Sequence, residues 1–182
     1  MQRILVVAAV LSMVLGSASA WAQLPHHSSS GDHETPRTIT VNCDSGKTIG
    51  QALQRANPGD TLQITGTCQE SLVITTDDLT LDGQGTTTID GGGTTVMTID
   101  GARRVAIQGL TVRKGVRGIL AQGGATITMQ SVTAEDNTLS GISVIEKAVA
   151  QITDCTAQRN GVDGIAGDSF WPGQAGRDDR QS

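Results

Sequence analysis

Aromatic side chains are nearly missing from this chain: tyrosine does not occur, phenylalanine occurs once and tryptophan twice. A cleft that stacks rings on aromatic platforms is therefore hard to build, Phe170 and Trp171 being the only aromatics beyond Trp21. Histidine is confined to His26, His27 and His33, which excludes a histidine acid or base anywhere further along. Those three lie in a polar stretch without the fixed geometry or supporting partners a metal centre needs. An excess of positive charge is also lacking: 13 basic residues face 18 acidic ones, a formal net charge of −5, which excludes a binder of nucleic acid or anionic membrane. After the first segment no apolar run approaches the roughly 18 residues of a membrane span, and no cysteine follows that segment to accept a lipid.

What is present begins with a targeting segment. Residues 1–22, MQRILVVAAVLSMVLGSASAWA, carry one Arg near the start, an apolar run from Ile4 to Leu15 and then small residues. That pattern predicts a secretory signal peptide, cleaved after Ala20 or, preferably, Ala22, and so a secreted or periplasmic, soluble protein. Residues 23–37, QLPHHSSSGDHETPR, have no apolar periodicity and read as a flexible leader. Export permits disulfides, and Cys43 and Cys68, separated by 24 residues, are the expected pair, with Cys155 left over.

The segment from Thr38 to Thr75 reads strand, helix, strand. TITV is followed by KTIGQALQRA, in which Ile49, Leu53 and Ala56 recur at i, i+4 and i+7 on one helical face. Asn57-Pro58-Gly59-Asp60 stops that helix and TLQIT follows. Beyond Leu72 the chain is rich in Thr, Val and Ile and punctuated by Asp-Gly and Gly-Gly, which predicts strands and turns only.

A repeat of 22 or 23 residues runs from about position 96. Gly118-Ile119, Gly141-Ile142 and Gly164-Ile165 recur at intervals of 23, and the columns Ile107, Met129, Ile152, then Leu110, Val132, Cys155, then Val112, Ala134, Ala157 agree at 22 and 23. Polar residues alternate with these, as in half-buried strands. One unit cannot bury its own apolar face, so like residues must stack in parallel strands from coil to coil. The expectation is an all-β, right-handed parallel β-helix, a solenoid of about five coils over residues 38–167, with a short N-terminal capping α-helix and an irregular tail at 168–182. A leucine-rich repeat has a similar period, but its dense L-x-x-L-x-L pattern is missing.

TIGQALQRANPGDTLQITGTCQESLVI, together with the N-x(3)-G-I units at Asn137 to Ile142 and Asn160 to Ile165, resembles the pectate-lyase-like right-handed β-helix superfamily over about residues 38–167. The resemblance implies a helix capping the first coil, turn asparagines ahead of the next strand, and a polysaccharide, acidic in many members, as ligand or substrate.

The chemistry of such enzymes is mostly missing. Hydrolysis needs paired carboxylates, and only Asp77-Asp78 offers a pair, in a position where Asp residues form turns. The Asp-Pro-His arrangement of uronate epimerases has no histidine to use. Calcium-dependent lyase chemistry would need clustered acids, but Asp82, Asp90 and Asp100 each precede Gly and read as turn residues without a calcium-loop spacing, so no catalytic residue and no cofactor is assigned. Among the cations, Arg113-Lys114 should stack over Glu135-Asp136 and these near Gln158-Arg159, a structural charge ladder with strands roughly 5 Å apart. Arg103, Arg104 and Arg117 have no such partner in register and are the candidate contacts to an acidic polymer. Cys155 shares a column with Leu110 and Val132 and should be a buried, inert thiol.

The expected function is thus an exported, non-catalytic module that binds polysaccharide or serves a structural role. A small lyase, epimerase or hydrolase acting on uronate polymers is the alternative, and a remnant of a longer β-helix protein a third. Because the pattern dissolves after Ile165, although Phe170-Trp171 would be placed to fold back over the last coil, the open last coil also offers itself for end-to-end self-association.

Overall fold

The computed structural model describes residues 35–168, so the expected signal peptide at 1–22, the three histidines and Phe170-Trp171 lie outside the described residues. β1 (Thr38–Asn42) comes first, followed by a 3-10 turn at Cys43–Ser45 and α1 (Ile49–Leu53). Five coils follow, of three strands each or of two where one long strand spans two faces. The first is β2 (Thr61–Thr65), β3 (Thr67–Gln69) and β4 (Leu72–Ile74), and the second is β5 (Thr80–Asp90) and β6 (Met97–Asp100). The third is β7 (Val105–Arg113) and β8 (Arg117–Gln122). Then come β9 (Thr126–Gln130), β10 (Thr133–Glu135) and β11 (Ser140–Val144), and last β12 (Val149–Thr153), β13 (Thr156–Gln158) and β14 (Asp163–Gly167).

The strands build three faces. On the first, β1, β2, β5, β7, β9 and β12 pair in that order; on the second, β3, β5, β7, β10 and β13; on the third, β4, β6, β8, β11 and β14. Every pair is parallel. β5 and β7 are long because each turns the corner between the first and second faces, and the register shift between Asp82 and Thr87 marks that corner. Residues in the left-handed region make the corner: Gln84 (φ 52) with Gly85 (φ 74) in the second coil, then the single residues Gly109 (φ 59), Ser131 (φ 53) and Asp154 (φ 52) in successive coils.

The core is the stack of inward side chains. Leu62, Leu81, Ile107 and Met129 form one column, Cys68, Ile89, Val112, Ala134 and Ala157 a second, and Leu72, Met97, Ile119 and Ile142 a third, all buried. Each large member contributes about 1.5–3 kcal/mol by burial. Along the third face the step from Met97 to Ile119, Ile142 and Ile165 is 22, 23 and 23 residues, the repeat seen in the sequence.

The cap is shorter than the apolar spacing predicts. α1 ends at Leu53, and its buried residues are Ile49 and Ala52, while Leu53 and Ala56 are only half-buried. Pro58 restricts Asn57 to extended backbone and so prevents a further turn. Thr48 accepts the Gln51 N–H at the N-terminus. Glu70, from the first coil, accepts the Ile49 and Gly50 N–H groups at 2.7 and 2.9 Å, fixing the helix over β4. Cys43 and Cys68 are disulfide-bonded, with Cα atoms 5.1 Å apart, and tie the cap to the second face.

At both ends of the solenoid, residues just outside the expected bounds of 38–167 make ordered contacts with it. Arg37, assigned by sequence to the leader, is anchored: its backbone N–H and its Nε each donate to Asp60 at 3.0 Å. Asp168, assigned to the tail, donates its N–H to the Val144 carbonyl and accepts the Glu146 N–H. Cys155 is half-buried rather than buried, because no described coil stacks beyond it as β13 stacks beyond Val132. Burial, helped by the Asp154 charge, still pushes its thiol pKa up against backbone hydrogen bonds at Val132 and Thr153, so the thiolate is disfavoured.

Candidate functional site

The outward side chains of the second face form two parallel columns. Thr67, Thr88, Thr111, Thr133 and Thr156 are paired in exact succession, one threonine per coil. Beside them run Gln69, Asp90, Arg113, Glu135 and Gln158. β-branched Thr suits an outward strand position, and neighbouring strands lie about 4.8 Å apart, so five hydroxyls repeat at that interval along the face. The threonine ladder was the feature least anticipated from sequence, although Thr111, Thr133 and Thr156 recur at the same 22 and 23 spacing as the core.

The charged column is internally neutralised, and it begins one coil earlier than expected. Lys114 Nζ lies 2.9 Å and Arg113 Nε 3.9 Å from Asp90 Oδ2. Arg159 donates to Glu135 Oε2 at 2.6 Å and to Asp136 Oδ1 at 2.8 Å, and Gln158 also donates to Glu135. The ammonium of Lys114 holds the Asp90 carboxyl below the usual range, and the guanidinium of Arg159 does the same for Asp136. Arg113 Nε is buried without a hydrogen-bond partner among the described residues, its Asp90 contact being coulombic only. A small asparagine ladder lies behind this corner: Asn137 Oδ1 accepts the Gly115 N–H at 3.0 Å, and Asn160 Oδ1 accepts both the backbone and side-chain N–H of Asn137.

Asp77-Asp78 forms a corner whose carboxylates are engaged by the next coil. Asp77 accepts the Arg103 N–H at 2.8 Å, and Asp78 (φ 56) is gripped by Arg104 through Nε at 2.5 Å and Nη2 at 2.7 Å. That bidentate pair lowers the Asp78 pKa and raises that of Arg104. It also corrects the expectation that Arg104 has no partner: its guanidinium is taken, while Arg103 and Arg117 make no ion pair among the described residues. The three arginines do not converge. Arg103 and Arg104 follow β6 at the corner between the third and first faces, whereas Arg117 opens β8 at the opposite margin of the third face.

Several other acids are spoken for in the same way. Asp82 accepts the Gln84 N–H, Asp44 the Thr67 N–H, and Glu70 caps α1 with both oxygens. Burial pushes the Asp60 pKa up, but N–H donation from Asn57 and Arg37 and the Arg37 charge outweigh it, and the net shift is downward. A general acid for glycoside cleavage needs the opposite, a carboxyl held above its ordinary value. Asp82, Asp90 and Asp100 sit on the first, second and third faces respectively and cannot share a calcium ion. Among the described residues, Cys43, Cys68 and Glu70 bring three ligand atoms within 4.8 Å of one another, but two are joined as a disulfide and the set is not the oxygen cage calcium requires.

Depressions on the surface are open and modest. One of about 420 Å³ lies over β1 and α1, bordered by Arg37, Lys47 and Arg55. Another of about 420 Å³ lies where the second face meets the third, beside Asp90 and Lys114, and one of about 320 Å³ lies on the first face beside Arg104. Within the described residues no helix is long and apolar enough to cross a membrane.

Comparison with known proteins bears on the fold. Residues 62–169 match the family model described as a right-handed beta helix region. No curated protein matches the chain, and no solved structure does.

Proposed function

This chain belongs to the right-handed β-helix family, and on that premise we propose that it is an exported, non-catalytic module that binds polysaccharide along its flat outer faces. The observation that carries the reading is the threonine ladder of the second face, five hydroxyls in register at one per coil. A polymer of hydroxylated units repeats along its own length, and a surface that repeats hydrogen-bonding groups at a sugar-like interval can engage several units at once without an enclosed cleft. Arg103 and Arg117, whose guanidinium groups make no ion pair among the described residues, add contacts to carboxylated units; Arg104 does not, being held by Asp78.

Catalysis is disfavoured by the state of the carboxylates. Asp60, Asp78, Asp90 and Asp136 are all shifted toward the ionised form and held by N–H donors or cations, so none is poised to give up a proton at a glycosidic oxygen. Export rests on the signal-like sequence of residues 1–22 and fits a disulfide of the kind that persists in oxidising compartments.

The test uses the chain from residue 23 onward, in affinity electrophoresis through gels containing pectate, alginate or neutral glucans. Retardation by at least one polymer is expected, weakened several-fold by Thr111→Val with Thr133→Val, and without unsaturated products or new reducing ends whether or not calcium is added. Turnover of any of these polymers would overturn the non-catalytic reading, and free migration through all of them would overturn the binding one.

A further inference from the structure

The first face ends in two strands that are alike in backbone and unlike in surrounding charge. β1 and β12 are its outermost strands, each paired on one side only among the described residues, to β2 and β9. Neither TITVN nor VAQIT contains a proline, a glycine or a charged residue, the devices that normally blunt a sheet edge. Because every strand of the face is parallel, β12 of one molecule and β1 of another can pair with the same polarity when the second molecule is simply advanced along the axis.

The side chains at these two edges are complementary as well. The inward column that runs through Leu62, Leu81, Ile107 and Met129 starts at Ile39 and ends at Ile152, and only these end members are half-exposed. Stacking Ile152 on Ile39 continues the column and covers both, while Thr38 and Thr40 fall in line with Gln151 and Thr153, polar on polar. Val149, 63% exposed, belongs to the same terminal strand. Around β1 the 420 Å³ groove is bordered by Arg37, Lys47 and Arg55 and by no acidic side chain. Asp60 already neutralises Arg37, which leaves Lys47 and Arg55 as the active charges. The corners that flank β12 carry Glu146 and Asp154, both exposed; Lys147 lies beside Glu146, and Arg104, which borders the same depression as Val149 and Gln151, is already held by Asp78.

From this we infer that the chain associates head to tail with a second copy of itself, β12 of one molecule adding to the free edge of β1 of the next, with Glu146 and Asp154 facing the Lys47 and Arg55 rim. The contact is heterologous and does not close on itself, so it generates linear chains of molecules rather than a dimer. On the other two faces α1 and the disulfide-tied turn occupy the place of a preceding coil, which confines strand addition at that end to the first face. The inference stands apart from polysaccharide binding and needs no ligand.

The experiment is sedimentation velocity of the chain from residue 23 onward, over a concentration series and at low and high salt. The expected result is a weight-average mass that climbs with concentration past that of a dimer and falls with added salt. Lys47→Glu with Arg55→Glu, and separately Glu146→Lys with Asp154→Lys, should each give monomers with an unchanged circular dichroism spectrum, and mixing the two variants should restore association. Lys is compatible with the left-handed backbone at position 154, since Lys114 (φ 54) adopts it in this protein. Wild-type monomers at every concentration would overturn the inference. So would association that stops at a dimer and responds only to the Glu146 and Asp154 changes, the mark of tail-to-tail contact. Association that begins only when residues 169–182 are deleted would show that the chain's own tail occupies the edge, and would equally overturn it.

Discussion

Arg104 reaches back one coil to clamp Asp78 with two parallel hydrogen bonds, Nε to Oδ1 at 2.5 Å and Nη2 to Oδ2 at 2.7 Å, each residue sitting at positive φ on its own corner. The pair joins the two coils at the margin between the third and first faces, where Asp77 also accepts the Arg103 N–H. A guanidinium committed in this way is a structural element, and its removal should be read in stability before binding.

Arg104→Ala is therefore expected to lower the thermal midpoint slightly at neutral pH and to leave retardation by acidic polymers within about twofold of wild type, whereas Arg103→Ala with Arg117→Ala weakens retardation without moving the midpoint. The pH dependence follows from the direction of the Asp78 shift. Its folded pKa is lowered, so the stabilisation is present above the ordinary Asp value and is lost as pH falls through the folded value. The difference in midpoint between wild type and Arg104→Ala should accordingly shrink as pH is lowered from about 5 toward about 1. A constant difference across that range would assign the effect to packing instead.

Replacing both Cys43 and Cys68 by Ser removes a bond that closes a loop of 25 residues. The chain-entropy account assigns such a bond about 3 kcal/mol. The unfolding free energy of the double variant, from urea denaturation, should fall by that amount, and dithiothreitol should lower the wild-type value similarly while leaving the variant unchanged. Since the bond ties the cap to β3, hydrogen exchange should rise first at α1 and β1.

How much of this was legible from the residues depends on the regularity of the coils. From Met97 onward the third-face column steps by 22, 23 and 23, and like residues could be superposed directly, which placed Ile107 with Met129 and Ile152 and Arg113 with Glu135. Earlier coils resist superposition because loops of different length enter at the corners: Leu62 to Leu81 is 19 residues and Leu81 to Ile107 is 26. Asp78 lies 26 residues before Arg104, across one of these irregular coils, so a search at 22 or 23 left Arg104 unpartnered. Asp90 is 23 residues before Arg113 and was within reach of the repeat. It reads as a turn residue because it is one too: Oδ1 accepts the Gly92 N–H while Oδ2 meets Lys114. The threonine ladder escaped for a different reason, since Thr is common in any outward strand position and only the register shows five of them aligned.

The buried asparagine of the fourth coil offers a local test of that register. Asn137 is 2% exposed, and its Oδ1 satisfies the Gly115 N–H, itself in a buried position. Asn137→Ala strands that donor as well as removing the contact to Asn160, at a cost of about 1–3 kcal/mol for the unsatisfied group. Asn137→Asp keeps an acceptor for Gly115 but turns a donor toward Asn160 Oδ1 into an acceptor. It should be as damaging as Ala at neutral pH and recover as pH falls and the carboxyl takes a proton. Urea denaturation of both variants at neutral and acidic pH measures this directly.

Gly118 separates a requirement for space from a requirement for backbone freedom. A Cβ built there would lie 2.5 Å from the Gly141 carbonyl oxygen of the next coil and 2.9 and 3.0 Å from Val112 Cγ2 and Asn137 Nδ2. The nearest obstacle is backbone held in a parallel ladder, and it cannot yield without opening the spacing between β8 and β11. Replacing Gly by Ala restricts the unfolded chain and by itself would stabilise by about 0.4–1 kcal/mol. Overpacking costs about 1–3 kcal/mol, so the clash wins and Gly118→Ala destabilises. Gly124 is the converse case, with φ at +75° and nothing within 4 Å of its built Cβ. Asn tolerates the left-handed region better than Ala does, so at position 124 Asn should be the milder replacement, while at position 118 the larger Asn should be the worse one. Denaturation midpoints of the four variants check the inversion, and the same order of Ala and Asn at both positions would show that space is not what Gly118 supplies.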